Sequence, residues 1–538
     1  MREIGAVTLQ HLLDTGSTVA VLDVREHGEY NSSHIPGTSS LPRRLLEHRI
    51  QRLVPGKGTQ IVLVDDTGLR SRLAAKTLER LGYQRVGVLD GGLNGWASDN
   101  RLTQWGMNVP SKDFGEKVEV QEHVPSIEAR ELAEWIARGD ELVILDTRTP
   151  EEYSRFCIPG GQSIPNGELP YRIGEIQKTH PNARVVVNCA GRTRSIIGTR
   201  ALQRMGVKDV VGLKNGTSGW VLAGLKLETG ADRVELPEPS AETRAAAEAY
   251  ARRVMAEDGV RPLSADEVAD LLATDADESV YFVDVRTREE FEAGHIEGFW
   301  WFPGGQVVQR SDDAIGVRQG TLVLTCDGIA RAGATASWLR QLGYPNVYVL
   351  DGGTAAWTSS GRGLAPGTAD DPSAGLPEAK ERVRSIEPAA LDGLLKTPGP
   401  PLVIHVGTSR DFAAGHVPGS RWVPRGWLEP RIEALVPDWT EPVVVTDPDG
   451  VDATLAAATL LDLGYHDVSA LAGGTRAWAA AGLTSERGLS GVMDPPDDLV
   501  PAGPERSYAD MIEYLRWEEA LGRKYVRAGV EAHPQPAR

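Results

Sequence analysis

The chain has 538 residues, 41% of them hydrophobic, a formal charge of −18 and three cysteines. At roughly 150 residues per domain, this length excludes a single small fold and predicts three or four domains, each burying its own core. The negative charge is spread without a basic stripe, which argues against nucleic acid or an anionic membrane surface as a partner.

The first residues, MREIGAVTLQHLLDTG, carry no charged head followed by an apolar core and cleavage site. No later stretch approaches the ~18–20 apolar residues of a membrane span, so a soluble, cytoplasmic protein is expected. Three cysteines make no disulfide framework, and without C-x-x-C spacing they predict no zinc site. A cysteine that matters here matters as a thiol.

Taken in chain order, the same elements recur four times. Each copy opens on an apolar strand: VAVLDVR, LVILDTR and VYFVDVR end at Asp23/Arg25, Asp146/Arg148 and Asp284/Arg286, whereas PLVIHVG has His405 and Gly407 there. A turn follows, SHIPG, FCIPG, GHIEG or GHVPG, with His34, Cys157, His295 and His416 in register. Second strands QIVLVD, RVVVNC, TLVLTC and PVVVTD lead through a short loop into a helical segment. A third strand and a Gly-containing turn then close each copy on Trp96, Trp220, Trp357 or Trp478. From the end of the second strand to that tryptophan the spacing is 31 in every copy. Continuous Val/Ile/Leu strands alternating with helices predict an α/β architecture of four tandem domains, each a small, mostly parallel sheet flanked by helices.

The boundaries are expected in polar or Pro-bearing stretches. Domain one spans 1–108 and domain two 123–229; a linker with a helix covers 230–262. Domain three spans 263–366, domain four 378–487, and a tail with an amphipathic helix runs over 488–538. Ser240 should cap the linker helix. The long middle connection divides the chain into two tandem pairs. In the tail, Tyr508, Met511, Ile512, Leu515 and Tyr525 fall near one helical face and read as a docking stripe.

The loops after the second strands read DDTGLRS, CAGRTRS, CDGIARA and DPDGVDA. A strand turning into a helix N-terminus aims backbone N–H groups at one spot, where an anion and a thiolate are both favoured. Cys189 and Cys326 occupy that spot in copies two and three; Asp65 and Asp447 occupy it in copies one and four. Asp327 follows Cys326 directly, a charge that disfavours both thiolate and incoming anion. The Asp-x-Arg pairs read as structural ion pairs tying the first strand to the Glu29- or Glu152-bearing segment. The four tryptophans and Cys157 read as packing.

Together, Asp-x-Arg, the His-Ile-Pro-Gly turn, the strand-Cys-loop-Arg-helix and the Gly-Gly-x-x-x-Trp closure resemble the rhodanese sulfurtransferase family. The resemblance covers nearly the whole chain, and the organisation is similar to that of bacterial four-domain rhodanese-like proteins. It implies a thiosulfate sulfurtransferase. A cysteine takes the outer sulfur of thiosulfate, releases sulfite, and passes the persulfide sulfur to cyanide or to a small or protein thiol. It implies Cys189 as the persulfide carrier and Cys326 as a weaker second. It also implies Ala190, Gly191, Arg192, Thr193, Arg194 and Arg331 as substrate-binding residues, with no cofactor beyond the covalent persulfide. Copies one and four become non-catalytic partners, by analogy with two-domain rhodaneses in which an inactive domain covers an active one. Two alternatives stand beside this reading. A non-enzymatic scaffold or redox sensor would suit the two copies without cysteine. A Cys-dependent phosphatase or arsenate reductase is disfavoured, since those loops place five residues between cysteine and arginine and only four separate Cys189 from Arg194.

Overall fold

The computed structural model describes residues 2–526 apart from 235, 275–276, 370–372 and 494. Each copy is a five-stranded sheet in which all neighbouring strands are parallel. In copy one the spatial order is Arg2–Ile4, Arg85–Leu89, Gln60–Val64, Val19–Asp23, Ser39–Ser40, and the other three copies repeat it. The three inner strands are those predicted from their apolar runs. The two outer strands are only two or three residues long, too short to show a period.

Alternate residues of the inner strands feed opposite faces. In copy two, Val143, Leu145, Val185 and Val187 enter one cluster with Leu169, Ile173 and Leu202. Ile144 and Val186 enter the other, with Leu132, Trp135 and Trp220. Each fully buried aliphatic side chain stabilises the fold by about 1.5–3 kcal/mol, which makes helices on both faces obligatory.

The recurring motifs are the joints of this scaffold. Trp96, Trp220, Trp357 and Trp478 are buried, and each indole N–H donates to the carbonyl six residues on, at 2.9–3.1 Å. The turn histidines His34, His295 and His416 stack on Tyr30, Phe291 and Phe412 at 3.6–4.0 Å between ring centroids. Cys157 takes the equivalent place beside Tyr153, fully buried in a small cluster with Ala231. Burial pushes the Cys157 thiol above its ordinary value, as suits a packed thiol.

The chain forms two compact units, and their membership differs from the tandem pairs expected from linker length. One unit holds copies one and four; the other holds copies two and three with the segment from Pro501 onward. Complementary surfaces, not chain proximity, decide the partners. In the first unit Arg425 reaches Glu47 at 2.5 Å and Arg43 reaches Glu429 at 3.1 Å. In the second, the turn Asn166–Glu168 meets the helix Gly304–Gln309 through glycine backbones. A Cβ on Gly167 would lie 3.0 Å from the Gly305 nitrogen, so a side chain there would force the two copies apart.

The linker helix runs Ala241–Asp258, with Ser240 accepting from the Thr243 N–H at its start. The stretch VPSKDFGEKVEVQEHVP, between the expected bounds of domains one and two, is mostly a helix, Val109–Glu122, with Pro110 in its first turn, where a missing N–H costs nothing. It packs on copy two, where a Cβ on Gly115 would approach Thr193 Cγ2 to 3.1 Å. The tail helix spans Tyr508–Gly522 and docks through buried Met511 and Leu515; Tyr508 and Ile512, expected in the same stripe, are exposed. The tail beyond 526 lies outside the described residues. Among the described residues no helix is long and apolar enough to cross a membrane.

Candidate active site

All four loops leave the C-terminal end of the second strand and enter a helix: Leu69–Arg80, Thr193–Met205, Ala330–Gln341 and Val451–Asp462. The carbonyl of the residue in the cysteine position is held from behind by the closing turn. In copy two Thr217 N–H donates to the Cys189 carbonyl at 2.9 Å, and Ser218 N–H to that of Ala190 at 3.1 Å. This contact requires glycine at 216, which has φ +52°; a Cβ there would sit 2.1 Å from the Cys189 carbonyl oxygen.

The two aspartate copies show what the loop accommodates. The Asp65 carboxylate accepts the Gly68 N–H at 2.6 Å, the Arg70 N–H at 2.8 Å and the Ser71 hydroxyl at 2.9 Å. Asp447 accepts the Gly450 and Asp452 N–H groups at 2.6 and 3.0 Å. In each, a tethered carboxyl group fills the cradle of amides. Both loops place a glycine at φ +93° three residues after the aspartate, whereas Arg192 and Ile329 hold that position at φ −122° and −130° in the cysteine copies. The two aspartate loops therefore differ from the two cysteine loops in backbone as well as in side chain.

Cys189 is 2% exposed, with Sγ 3.6 Å from the hydroxyl of Ser195, which itself donates to the Arg192 carbonyl at 2.8 Å. Cys326 is fully buried and has Ala332 where Ser195 stands in copy two. Burial and the adjacent Asp327 carboxylate push the Cys326 thiol up to about 12, with Arg331 only partly opposing them. Although burial alone would raise it, Asp327 is held down at about 2 by Arg331 and by the hydroxyl of Tyr171, 2.6 Å away. It is thus a fixed negative charge beside the sulfur.

The arginines expected to face substrate are engaged by carboxylates. Arg194 makes a forked pair with Glu152, at 2.7 and 2.9 Å. Arg192 is bound by Glu116 at 2.6 and 2.9 Å, by Glu119, by the Asn215 side-chain oxygen at 3.2 Å and by Glu519 at 3.4 Å. Every nitrogen of its guanidinium donates to one of these groups. Arg331 is enclosed by Glu168, Glu290 and Asp327 at 2.6–3.0 Å and lies under the Tyr171 ring. The loop arginines thus hold the loops in shape through their carboxylate partners.

The Asp-x-Arg pairs tie the first strand to the glutamate-bearing segment as expected, through that segment's last carbonyl and not through its carboxylate. Asp23–Arg25, Asp146–Arg148 and Asp284–Arg286 close on themselves at 2.7 Å. Their arginines reach the carbonyls of Ser33, Phe156 and Gly294, while Glu29, Glu152 and Glu290 bind the loop arginines. In copy four the buried His405 ring replaces the pair; its Nε2 lies 2.9 Å from where a Cβ on Gly407 would be, and burial pushes it down to about 4.

Sequence reasoning missed the second wall of the copy-two loop. Glu518, in the tail helix, accepts from the Thr193 hydroxyl at 3.1 Å. Glu518 and Tyr514 stand 3.4 and 4.0 Å from the position a Cβ on Gly191 would take. Glu116 and Glu119 come from the helix Val109–Glu122. Burial raises Glu116 to about 8 against the pull of Arg192. In the sequence Glu116 and Glu119 lie in a polar interdomain stretch and Tyr514 and Glu518 in the amphipathic tail, all far from the loop, and nothing there assigns them to it. Among the described residues no group of three or more His, Cys, Asp or Glu is arranged to hold a metal ion.

A family model described as Rhodanese-like domain matches residues 6–99, 128–223, 264–360 and 387–481. The fold is similar to that of a thiosulfate sulfurtransferase from Pseudomonas aeruginosa, with TM-score 0.89, 38% identity and 97% of each chain covered. A sulfurtransferase of Allochromatium vinosum is 29% identical over 104 residues, 19% of this chain and 94% of that protein. YrkF of Bacillus subtilis, named for a sulfur-carrier role, is 31% identical over 94 residues, 18% of this chain; the chain spans 50% of its length.

Proposed function

The chain belongs to the rhodanese-like family, and from that membership we propose that it is a sulfurtransferase whose working centre is Cys189. The Cys189 thiolate attacks the outer sulfur of thiosulfate. A sulfur–sulfur bond forms at Cys189, the bond to the sulfonyl sulfur breaks, and sulfite leaves with the electron pair. The persulfide is then attacked at its terminal sulfur by cyanide or a thiol, which carries that sulfur away and restores the thiolate. No cofactor is needed, since the sulfur is carried on the chain.

The observation that carries this reading is the contrast among the four loops at equivalent places in the repeat. Asp65 and Asp447 fill their own cradles, and Cys326 is held protonated beside Asp327. Cys189 alone of the four has a thiol with a hydroxyl at 3.6 Å and a neutral neighbour, Ala190. The amides from Ala190 to Arg194 provide the anion cradle, with the Arg192 and Arg194 side chains shaping it through their glutamates. Copies one and four act as non-catalytic partners, and the protein works in the cytoplasm.

Mass spectrometry of the full chain after thiosulfate treatment tests this. A gain of one sulfur atom on the peptide containing Cys189 is expected; an unmodified Cys189 overturns the reading and leaves the scaffold or sensor.

A further inference from the structure

Thiosulfate is a dianion, yet every loop arginine of copy two is engaged by carboxyl groups: Arg194 by Glu152, and Arg192 by Glu116, Glu119 and Glu519. Glu518 adds a further carboxylate beside Thr193. Backbone amides alone face this acidic surround, so a cation without a carboxylate partner at the loop would alter the balance of charge decisively.

One stands in the tail segment that borders the loop. A Cβ on Gly503 would lie 3.8 Å from the Ala190 side chain, and three residues later Arg506 places its guanidinium 3.7 Å over the ring of Tyr514. Tyr514 in turn stands beside Gly191. Arg506 Nε donates to the Pro501 carbonyl at 2.9 Å, and among the described residues no carboxylate lies within salt-bridge distance of it. Lys112 also lies over the Tyr514 ring, at 4.9 Å, but is buried; Arg506 is half-buried and reaches solvent. Burial, and then the Glu518 charge, push the Tyr514 hydroxyl well above its ordinary value. Arg506, as a hydrogen-bonding cation, offsets part of that rise.

We propose that Arg506, supplied by the C-terminal segment and not by any rhodanese-like domain, is the residue that receives the anionic sulfur donor at Cys189. The Tyr514 ring holds the guanidinium in place through cation–π contact, and a charge-assisted contact from that guanidinium to a sulfonyl oxygen is the interaction that receives the donor. This rests on the reading that Cys189 takes sulfur from thiosulfate.

The test uses the full chain with Arg506→Ala, Arg506→Lys and Arg506→Glu. It measures the thiosulfate concentration giving half-maximal Cys189 persulfide, with KM for thiosulfate and for cyanide in the steady state. Losing one charge-assisted contact should raise the half-saturating thiosulfate concentration by about 10- to 100-fold in Arg506→Ala. Arg506→Glu should raise it further and Arg506→Lys recover most of the loss, with kcat and KM for cyanide unchanged. Half-saturation unchanged in Arg506→Ala, an equal rise in KM for cyanide, or no recovery in Arg506→Lys would each overturn the proposal. A wild-type chain that takes no sulfur from thiosulfate at any concentration would instead remove the reading on which it rests.

Discussion

Glu152 and Arg194 hold each other through two parallel bonds of 2.7 and 2.9 Å, and the same partnership recurs as Glu29–Arg70 and Glu290–Arg331. It joins the helix after the first strand to the loop after the second, so the cradle is braced from a neighbouring strand. Although burial works against ionisation, Arg194 holds Glu152 down at about 2. Because this is below the ordinary value of 4.5, the pair contributes stability above pH 4.5 that is lost as pH falls from there through 2. Glu152→Gln should cost about 1–2 kcal/mol, since the carboxylate is 36% exposed and partly screened. Thermal melts should show a difference from wild type that is constant above pH 5 and shrinks toward pH 2.

Cys326 is held near 12, so its thiolate is scarce at neutral pH. In a thiosulfate:cyanide assay Cys189→Ser should abolish most turnover, at least about 100-fold, because the thiolate is the nucleophile; Cys326→Ser should change it little. Equal losses would contradict this division. In alkylation at pH 8, Cys189 should react well before Cys326.

Asp447 behaves oppositely to Glu152. Burial, then the charges of Asp452 and Asp449, raise it to about 7. Its stabilising contribution is therefore complete below pH 3.8 and is lost as pH rises through 7. Asp447→Asn should leave the melting temperature nearly unchanged at about pH 3.5 and raise it relative to wild type by an amount that grows through pH 5 and levels off above pH 7. A difference independent of pH would show that Asp447 is ionised throughout.

Gly216→Ala forces a methyl to 2.1 Å from the Cys189 carbonyl at a positive φ, and should cost about 2–5 kcal/mol. Gly139→Ala, at φ +75° with nothing within 4 Å, isolates the backbone strain and should cost about 1–2 kcal/mol. The difference between the two melts measures the contact behind the active loop.

The four-fold repeat, the inner strands and the position of both cysteines are legible in the sequence because each copy is a register against which the others are read. Asp65 and Asp447 stand out for that reason. What is not legible is whatever one copy receives from another part of the chain. A polar stretch such as EKVEVQE reads as linker until Arg192 is found among its glutamates, and the tail's apolar stripe draws attention away from Tyr514 and Glu518, which share the docked face of Met511 and Leu515. Linker length likewise says nothing about partner choice, which the glycine contact of Gly167 with Gly304 and Gly305 decides.

The pairing of copy one with copy four has a consequence in time. During synthesis Arg43 and Glu47 emerge with the first hundred residues, but Arg425 and Glu429 are translated nearly four hundred residues later. At about 5–20 residues per second, copy one waits on the order of tens of seconds at the ribosome with its charged docking face uncovered. Copies two and three meet much sooner. A face that must stay open that long is better built from arginine and glutamate than from leucine, and Arg43, Arg44 and Glu47 are what stands there.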